Sequence, residues 1–334
     1  MSIQAKKKLG IALVGLGKYS EEQLAPALKE TRHCHLTGIV TGSEKKISSW
    51  VSKYKLRDQG VYNYSNFENI AQNSDIDIVY VVLPNALHRE FVVRAAEAGK
   101  HVICEKPMAL NSTECDEMIA ACKKANVKLS IGYRLHFEPY NQEMMRLGRE
   151  RVFGKIRKMF AENGLDEVEG WRLDHKLAGG GPLMDVGIYC IQGVRYTTGS
   201  EPRFVTAHEG EKTDAKRFAD IEESLTWQME MEDGSAAECK TSYTEHWNLL
   251  KAEAENGWFQ LSPAYEYTGL AGKTSKGKLD FPQINQQAAQ MDDFALALKE
   301  GRESPVPGEM GKKDVAIIEA IYEAMKTGNK IAVR

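Results

Sequence analysis

Apolar positions in this 334-residue chain follow two different patterns. In the first, short unbroken runs alternate with stretches of helical period. Leu9 to Val14, His35 to Val40, Ile76 to Leu83, His101 to Ile103 and Lys128 to Tyr133 read as strands, and unbroken runs of this kind suit strands covered on both faces. Between them Glu21 to Thr31, Asn85 to Ala98 and Thr113 to Ala125 read as helices, with Gly99 placed to end the second. Ser65-Asn66-Phe67-Glu68 has the spacing of a capping box opening a short helix. This β/α alternation predicts a parallel sheet with helices on both faces, a Rossmann dinucleotide-binding domain over residues 1–135.

Beyond that point the pattern changes. A helix from Glu138 to Arg149 leads to strand-like runs at Lys155 to Glu162, Arg203 to His208, Ser224 to Glu232, Ser235 to Ser242 and Leu249 to Ala254. Asp233-Gly234 is a hairpin signal, so this sheet is expected to be open and mostly antiparallel. Gly269 to Lys278 is the most loop-like stretch, and helices at about Asn285 to Lys299 and Lys312 to Thr327 close the chain. Residues 136–334 are thus expected to form an α+β domain for substrate binding and oligomerisation, its final helices able to pack back on the N-terminal domain. The overall class is α/β.

Charge narrows the partners. The 44 basic and 47 acidic residues are well mixed and leave a net charge of -3, which is no footprint for nucleic acid or an anionic membrane. A small-molecule partner is expected. No segment approaches the roughly 20 apolar residues of a membrane span, and the polar, basic residues before Leu9 do not read as a secretory signal. The six cysteines are scattered without a Cys-x-x-Cys pair, as in a cytoplasmic protein with reduced thiols and no zinc.

The chemistry collects in a few strings. Gly15-Leu16-Gly17-Lys18-Tyr19-Ser20 follows a strand and precedes a helix, as a pyrophosphate-binding turn does, with Ser20 where glycine or alanine is usual. The tip of the second strand offers Thr41 and Ser43, then Lys45 and Lys46, with no acidic residue at the strand end itself; this favours NADP over NAD, although Glu44 lies nearby. Leu83-Pro84-Asn85 ends the third run, and His88 follows one turn into the next helix, near the carboxyl edge where ligands bind. Cys104-Glu105-Lys106-Pro107 ends the next strand. Proline crowds Lys106 out of the helical region, which gives its ammonium a fixed origin from which it could stabilise negative charge on a substrate oxygen. Finally, Gly179-Gly180-Gly181-Pro182 suits a loop entering a helix, on which Asp185 and Tyr189 would lie one turn apart on one face. That pair could transfer a proton if a cation such as Lys106 assists the phenol. It could equally be a packed tyrosine and a carboxylate at a helix N-terminus.

Taken together, Gly15-Leu16-Gly17, Leu83-Pro84-Asn85 with His88, Glu105-Lys106-Pro107, Gly132-Tyr133-Arg134 and Gly179 through Tyr189 resemble the Gfo/Idh/MocA oxidoreductase family over nearly the whole chain. Tyr64-Ser65-Asn66-Phe67, Gly132 through Pro139 and Trp171-Arg172-Leu173 point to its glucose-fructose oxidoreductase branch. The resemblance implies hydride transfer, without metal, between a nicotinamide and a carbon of a sugar or cyclic polyol. It implies that Lys106 hydrogen-bonds the reacting oxygen, Tyr189 exchanges its proton and Asp185 orients both. Thr41, Ser43, Lys46 and Tyr64 would surround the adenosine 2′-phosphate, and Trp171 and Arg172 would cover the cofactor. Leu16, Lys18, Tyr19, Leu83, Pro84, Asn85, His88, Glu105 and Arg134 complete the expected cofactor-binding set. A homodimer or homotetramer through the C-terminal sheet is implied as well. Tyr189 stands where many relatives have histidine, and no extended arm precedes Leu9. The nearest alternatives are an aldose dehydrogenase or anhydrofructose reductase that releases its cofactor each turnover; a noncatalytic NADP-binding regulator is more remote.

Overall fold

The computed structural model describes residues 3–5 and 7–333. The chain divides into two compact units, one running up to Arg134 and including Asn285–Lys312, the other made of Leu135–Ile284 and the chain from Lys313 on.

The first unit is built on six parallel strands, β1 (Leu9–Val14), β2 (Cys34–Val40), β3 (Val61–Tyr62), β4 (Ile78–Val81), β5 (His101–Cys104) and β6 (Leu129–Ile131). Their spatial order is β3-β2-β1-β4-β5-β6. This doubly wound order reverses between β1 and β4, and such a switch point opens a crevice at the carboxyl ends of the strands. β1 is buried at every position and β4 likewise, which is why their sequences are continuous rather than alternating. The helices of this part are α1 (Ala25–Glu30), α2 (Glu44–Tyr54), α3 (His88–Glu97) and α4 (Ser112–Lys124), the last capped by Asn111, which accepts from the Glu114 amide. The expected capping box at Ser65 does not form. The Ser65 hydroxyl donates to Asn63 at 2.7 Å, and the segment that follows is a 3₁₀ turn, Phe67–Gln72, without a side-chain cap.

The second unit opens with α5 (Pro139–Arg149), whose first turn is capped by Glu138. Then come β7 (Ile156–Gly164), α6 (His175–Ala178), α7 (Ile188–Thr198), β8 (Pro202–Glu209), β9 (Ser224–Met231), β10 (Ala236–Ser242), β11 (Asn248–Ala254), β12 (Gly257–Leu261), β13 (Gly272–Thr274) and β14 (Gly277–Leu279). The chain returns to the first unit in α8 (Gln286–Glu300), begins α9 (Gly308–Thr327) and ends in β15 (Ile331–Ala332). β7 to β15 make a nine-stranded sheet of order β14-β13-β12-β11-β7-β10-β9-β8-β15, in which only β7 and β10 pair in parallel. In β9 buried Leu225, Trp227, Met229 and Met231 alternate with exposed residues, the signature of a sheet covered on one face. The stretch expected to be most loop-like, Gly269 to Lys278, carries the β13/β14 hairpin instead.

α8 matters to the first unit. Its Ala288, Met291, Phe294, Ala295 and Leu298 share one core with Leu9, Ile11, Leu13, Tyr80 and Ile103. No helix among the described residues is long and apolar enough to cross a membrane.

Candidate active site

In the first unit the Gly15-Leu16-Gly17 turn lies directly after β1, on the switch-point edge. Gly15 has φ +92°, and a Cβ there would meet the Val82 carbonyl oxygen at 2.3 Å, so this turn requires glycine. A Cβ on Gly17 would meet nothing within 4 Å. That side of the turn is open, as a close approach of pyrophosphate needs. Ser20 is buried and its hydroxyl donates to the Gly15 carbonyl at 2.6 Å, which ties the turn to the first residue of a π-type turn, Ser20–Leu24, leading into α1. Lys18 is exposed and Tyr19 half-buried.

At the next strand end Thr41 is buried and its hydroxyl accepts from the Ser43 amide at 3.2 Å. Lys46, in the first turn of α2, sends its ammonium to the Leu16 carbonyl at 2.5 Å. The Thr41-Ser43-Lys46 corner is thereby joined to the glycine turn. The Tyr64 ring would lie 3.1 Å from a Cβ on Gly42, and it packs edge-on against Phe91. Arg94 holds this side in place, donating to the Tyr64 carbonyl at 2.6 Å and covering the Phe91 ring.

The third strand end places Leu83, Pro84 and Asn85 ahead of a 3₁₀ turn, Asn85–Leu87, so His88 is the first residue of α3 rather than one turn inside it. Its ring is buried. Nδ1 lies 2.9 Å from the Pro107 carbonyl and Nε2 2.8 Å from the Leu83 carbonyl, so both nitrogens are engaged within the protein. Burial favours the neutral ring and holds its pKa below the ordinary value, while the two carbonyls pull it up; only the doubly protonated form donates to both.

Lys106 follows β5, half-buried, joined to Pro107 by a cis peptide bond. Beside it Glu105 is buried. Its carboxyl accepts from the Tyr80 hydroxyl at 2.6 Å, and Tyr80 in turn accepts from Gln290 of α8 at 2.8 Å. Burial pushes the Glu105 carboxyl up, opposed by the Tyr80 hydrogen bond and by the charges of Lys106 and Arg134. Arg134 is buried too and donates to Gln286.

In the second unit the helix expected over Pro182 to Tyr189 begins as a π-type turn, Leu183–Gly187, before α7. Its i→i+5 bonding makes the step from Asp185 to Tyr189 less than a full turn, unlike the α-helical spacing expected. Asn163 of β7 donates to the Val186 carbonyl at 3.0 Å, and buried Glu222 accepts from the Gly181 and Leu183 amides at 2.9 and 3.1 Å. Tyr322 adds a 2.9 Å bond to Glu222.

Asp185 is the hub of this turn. It accepts from Arg172 at 2.7 Å and from the Tyr243 hydroxyl at 3.3 Å. The Asp185 charge raises the Arg172 pKa against its burial, and the Arg172 guanidinium also lies 4.9 Å from the Trp171 ring centre. Burial and the Asp185 carboxylate push the Tyr243 phenol well up, so it remains a donor. Tyr189 is buried with its ring 6.2 Å from that of Tyr265. Sequence reasoning missed Tyr243, Glu222, Asn163 and the Tyr80–Gln290 pair. Among the described residues no group of three or more His, Cys, Asp or Glu could hold a metal ion.

A glycine turn after β1 at the switch point of a doubly wound sheet, with a lysine two strands away at the end of β5, is the arrangement of a nicotinamide-dependent oxidoreductase, and the family match agrees. Residues 9–133 match the oxidoreductase family with an NAD-binding Rossmann fold known as GFO/IDH/MocA, and residues 141–258 match the C-terminal domain of that family. The chain belongs to the Gfo/Idh/MocA oxidoreductases. It is 40% identical to an aldose-aldose oxidoreductase from Caulobacter crescentus, crystallised with glycerol, with a TM-score of 0.95 over 97% of this chain and 99% of that one. A D-xylose 1-dehydrogenase [NADP(+)] from Haloarcula marismortui is 28% identical over 335 residues, 96% of this chain and 92% of the relative. A probable dehydrogenase from Thermotoga maritima shares the fold, at 21% identity and a TM-score of 0.82 over 97% of this chain and 99% of that one.

Proposed function

We propose that the protein is an NADP-dependent oxidoreductase that passes hydride between the nicotinamide and a carbon of a sugar or cyclic polyol. The observation that carries the substrate class is the 40% identity, across 97% of the chain, to an aldose-aldose oxidoreductase. The D-xylose dehydrogenase, at 28% identity, favours NADP, as does the Lys46 ammonium at the Thr41-Ser43 corner.

When bound, the cofactor supplies the hydride or accepts it. The open turn of Gly15, Leu16, Gly17, Lys18 and Tyr19 would hold the pyrophosphate, and Thr41, Ser43, Lys46 and Tyr64 the 2′-phosphate. Leu83, Pro84 and Asn85 would border the cofactor at the strand edge, with Glu105 and Arg134 supporting Lys106, and Trp171 and Arg172 would cover it. Lys106 would donate a hydrogen bond to the reacting oxygen and stabilise the charge that develops there as hydride leaves carbon. Tyr189 would exchange the hydroxyl proton at its phenolic oxygen, accepting it as phenolate when the substrate is oxidised and returning it as phenol when the substrate is reduced, and Asp185, held by Arg172 and Tyr243, would orient the substrate hydroxyls. Self-association through the sheet face that bears Phe160, Thr206, Gln228 and Glu238 belongs to the same reading, and sedimentation velocity would check it.

The test is hydride exchange with a panel of aldoses in wild type and Lys106→Met. The variant should bind NADP about as tightly as wild type and lose at least about a hundredfold in kcat. Full turnover in the variant, or no exchange by the wild type, overturns the reading; the second outcome would favour a nucleotide-binding regulator. Nicotinamide absorbance that survives gel filtration would separate a retained cofactor from one released each turnover.

A further inference from the structure

One cavity of the second unit is walled by the glycine loop that leads to Asp185. It holds about 620 Å³, within the range of small-molecule pockets, and none of its lining residues belongs to the cofactor or catalytic set proposed above. Its inner wall is preformed. There Tyr322 donates to Glu222 at 2.9 Å, and Glu222 is held in turn by the Gly181 and Leu183 amides, so the polar surface beneath a ligand is already fixed. The rest of the lining is not neutralised within itself. Lys212 pairs with Glu209 at 3.3 Å, whereas His175, Asp220 and Lys326 are exposed and make no side-chain hydrogen bond or ion pair with another described residue. An ammonium only donates and a carboxylate only accepts. Lys326 therefore matches an anionic oxygen on a ligand, and Asp220 a hydroxyl that donates. Ile221, 3% exposed, and Met325 add an apolar strip. A sugar acid carries all three complements: a carboxylate, several hydroxyls and the C–H groups between them. A bare anion would face Asp220 with like charge, and a neutral polyol would leave Lys326 without a counter-charge.

We propose that this cavity is a second ligand site, for a hydroxylated carboxylate of the sugar-acid class. Oxidation of an aldose at its first carbon gives a lactone, and water added across the lactone ester bond gives the acid. That origin of the ligand rests on the oxidoreductase reading; its binding does not.

Isothermal titration calorimetry tests it with sodium D-gluconate, and with sorbitol and acetate as the two halves of that ligand. The protein is saturated with NADPH, which reduces none of the three. Gluconate should bind with a Kd of about 0.1–5 mM, the strength of a few solvent-screened polar contacts, and sorbitol and acetate at least about tenfold more weakly. Lys326→Met, an exposed change on α9, should weaken gluconate about three- to tenfold and leave hydride exchange as it is in wild type. Lys106→Met should keep the gluconate affinity within about twofold of wild type. No binding up to about 50 mM overturns the proposal. So does an affinity that Lys326→Met leaves unchanged, or one that Lys106→Met abolishes, which would put gluconate in the proposed active site. Sorbitol or acetate binding as tightly as gluconate overturns the ligand class. A wild type that binds gluconate yet exchanges hydride with no sugar would sink the oxidoreductase reading and leave the cavity site standing.

Discussion

Glu222 is buried with three donors on its two oxygens, the Gly181 amide on Oε2 and the Leu183 amide and Tyr322 hydroxyl on Oε1. Glu222→Gln keeps the shape and makes one of those acceptors an NH₂ group. If the amide nitrogen faces Gly181, two N–H groups meet. If the amide is turned round, Tyr322 can rotate its hydroxyl to accept, but the Leu183 amide is left facing an N–H. Either way one buried backbone amide loses its partner, a penalty centred on about 2 kcal/mol. At about 2–4 °C per kcal/mol the melting temperature should fall by roughly 4–8 °C. The effect also has a pH signature. Burial pushes the Glu222 carboxyl above its ordinary value of 4.5, against the hydrogen bonds that lower it. A raised value in the fold means that this group's contribution is present below 4.5 and is lost as pH rises through the folded value. The neutral amide has no such loss, so the deficit of the variant should narrow as pH rises from acid toward neutrality. Differential scanning calorimetry across that range is the assay. A variant that melts within about 1 °C of wild type at every pH refutes the reasoning.

Three further outcomes are expected. Gly15→Ala should destabilise the fold by about 1–3 kcal/mol, because it adds a Cβ at φ +92° against the Val82 carbonyl, whereas Gly17→Ala should melt like wild type yet bind NADP more weakly; thermal melts with cofactor titration distinguish the two. All six cysteines are buried, and burial pushes Cys34 and Cys122 up to about 12, so a thiol reagent at mildly alkaline pH should label none in the native protein and six in denaturant. Glu201 is opposed by burial yet held down to about 2 by Arg195 and Lys313, so its contribution is present above its ordinary 4.5 and lost as pH falls toward 2. Glu201→Gln should flatten that acid limb by about 1 kcal/mol, the partly exposed pair being screened, and acid titration monitored by circular dichroism checks it.

The parts of the site that could be read from the sequence are those written in contiguous strings. The glycine turn, Lys106 before its proline and the Asp185–Tyr189 string each stand out as candidates within ten residues, although the α-helical step expected from Asp185 to Tyr189 gives way to a π-type turn. Their supports lie far along the chain, Tyr243 58 residues from Asp185 and Gln290 210 residues from Tyr80, and no local pattern announces them. The parallel Rossmann sheet was legible in unbroken apolar runs alternating with stretches of helical period, the pattern of strands covered on both faces. β13 and β14 escaped notice because short, polar, glycine-flanked edge strands have too little buried surface to impose alternation. The π turn at Leu183–Gly187 was invisible for another reason: it changes hydrogen-bond partners without changing which residues are apolar.

α8 has a consequence for how the chain is made. A chain that emerges from the ribosome at about 5–20 residues per second lets an ordinary N-terminal domain fold before the rest is synthesised. Here the first unit cannot close its core until Ala288, Met291, Phe294, Ala295 and Leu298 have been translated, after the segment Leu135–Ile284 of the second unit. The nascent Rossmann sheet must wait with one side uncovered. A fragment that stops at Arg134 would keep that apolar surface bare and should require a chaperone, or α8 supplied as a separate peptide, to stay in solution.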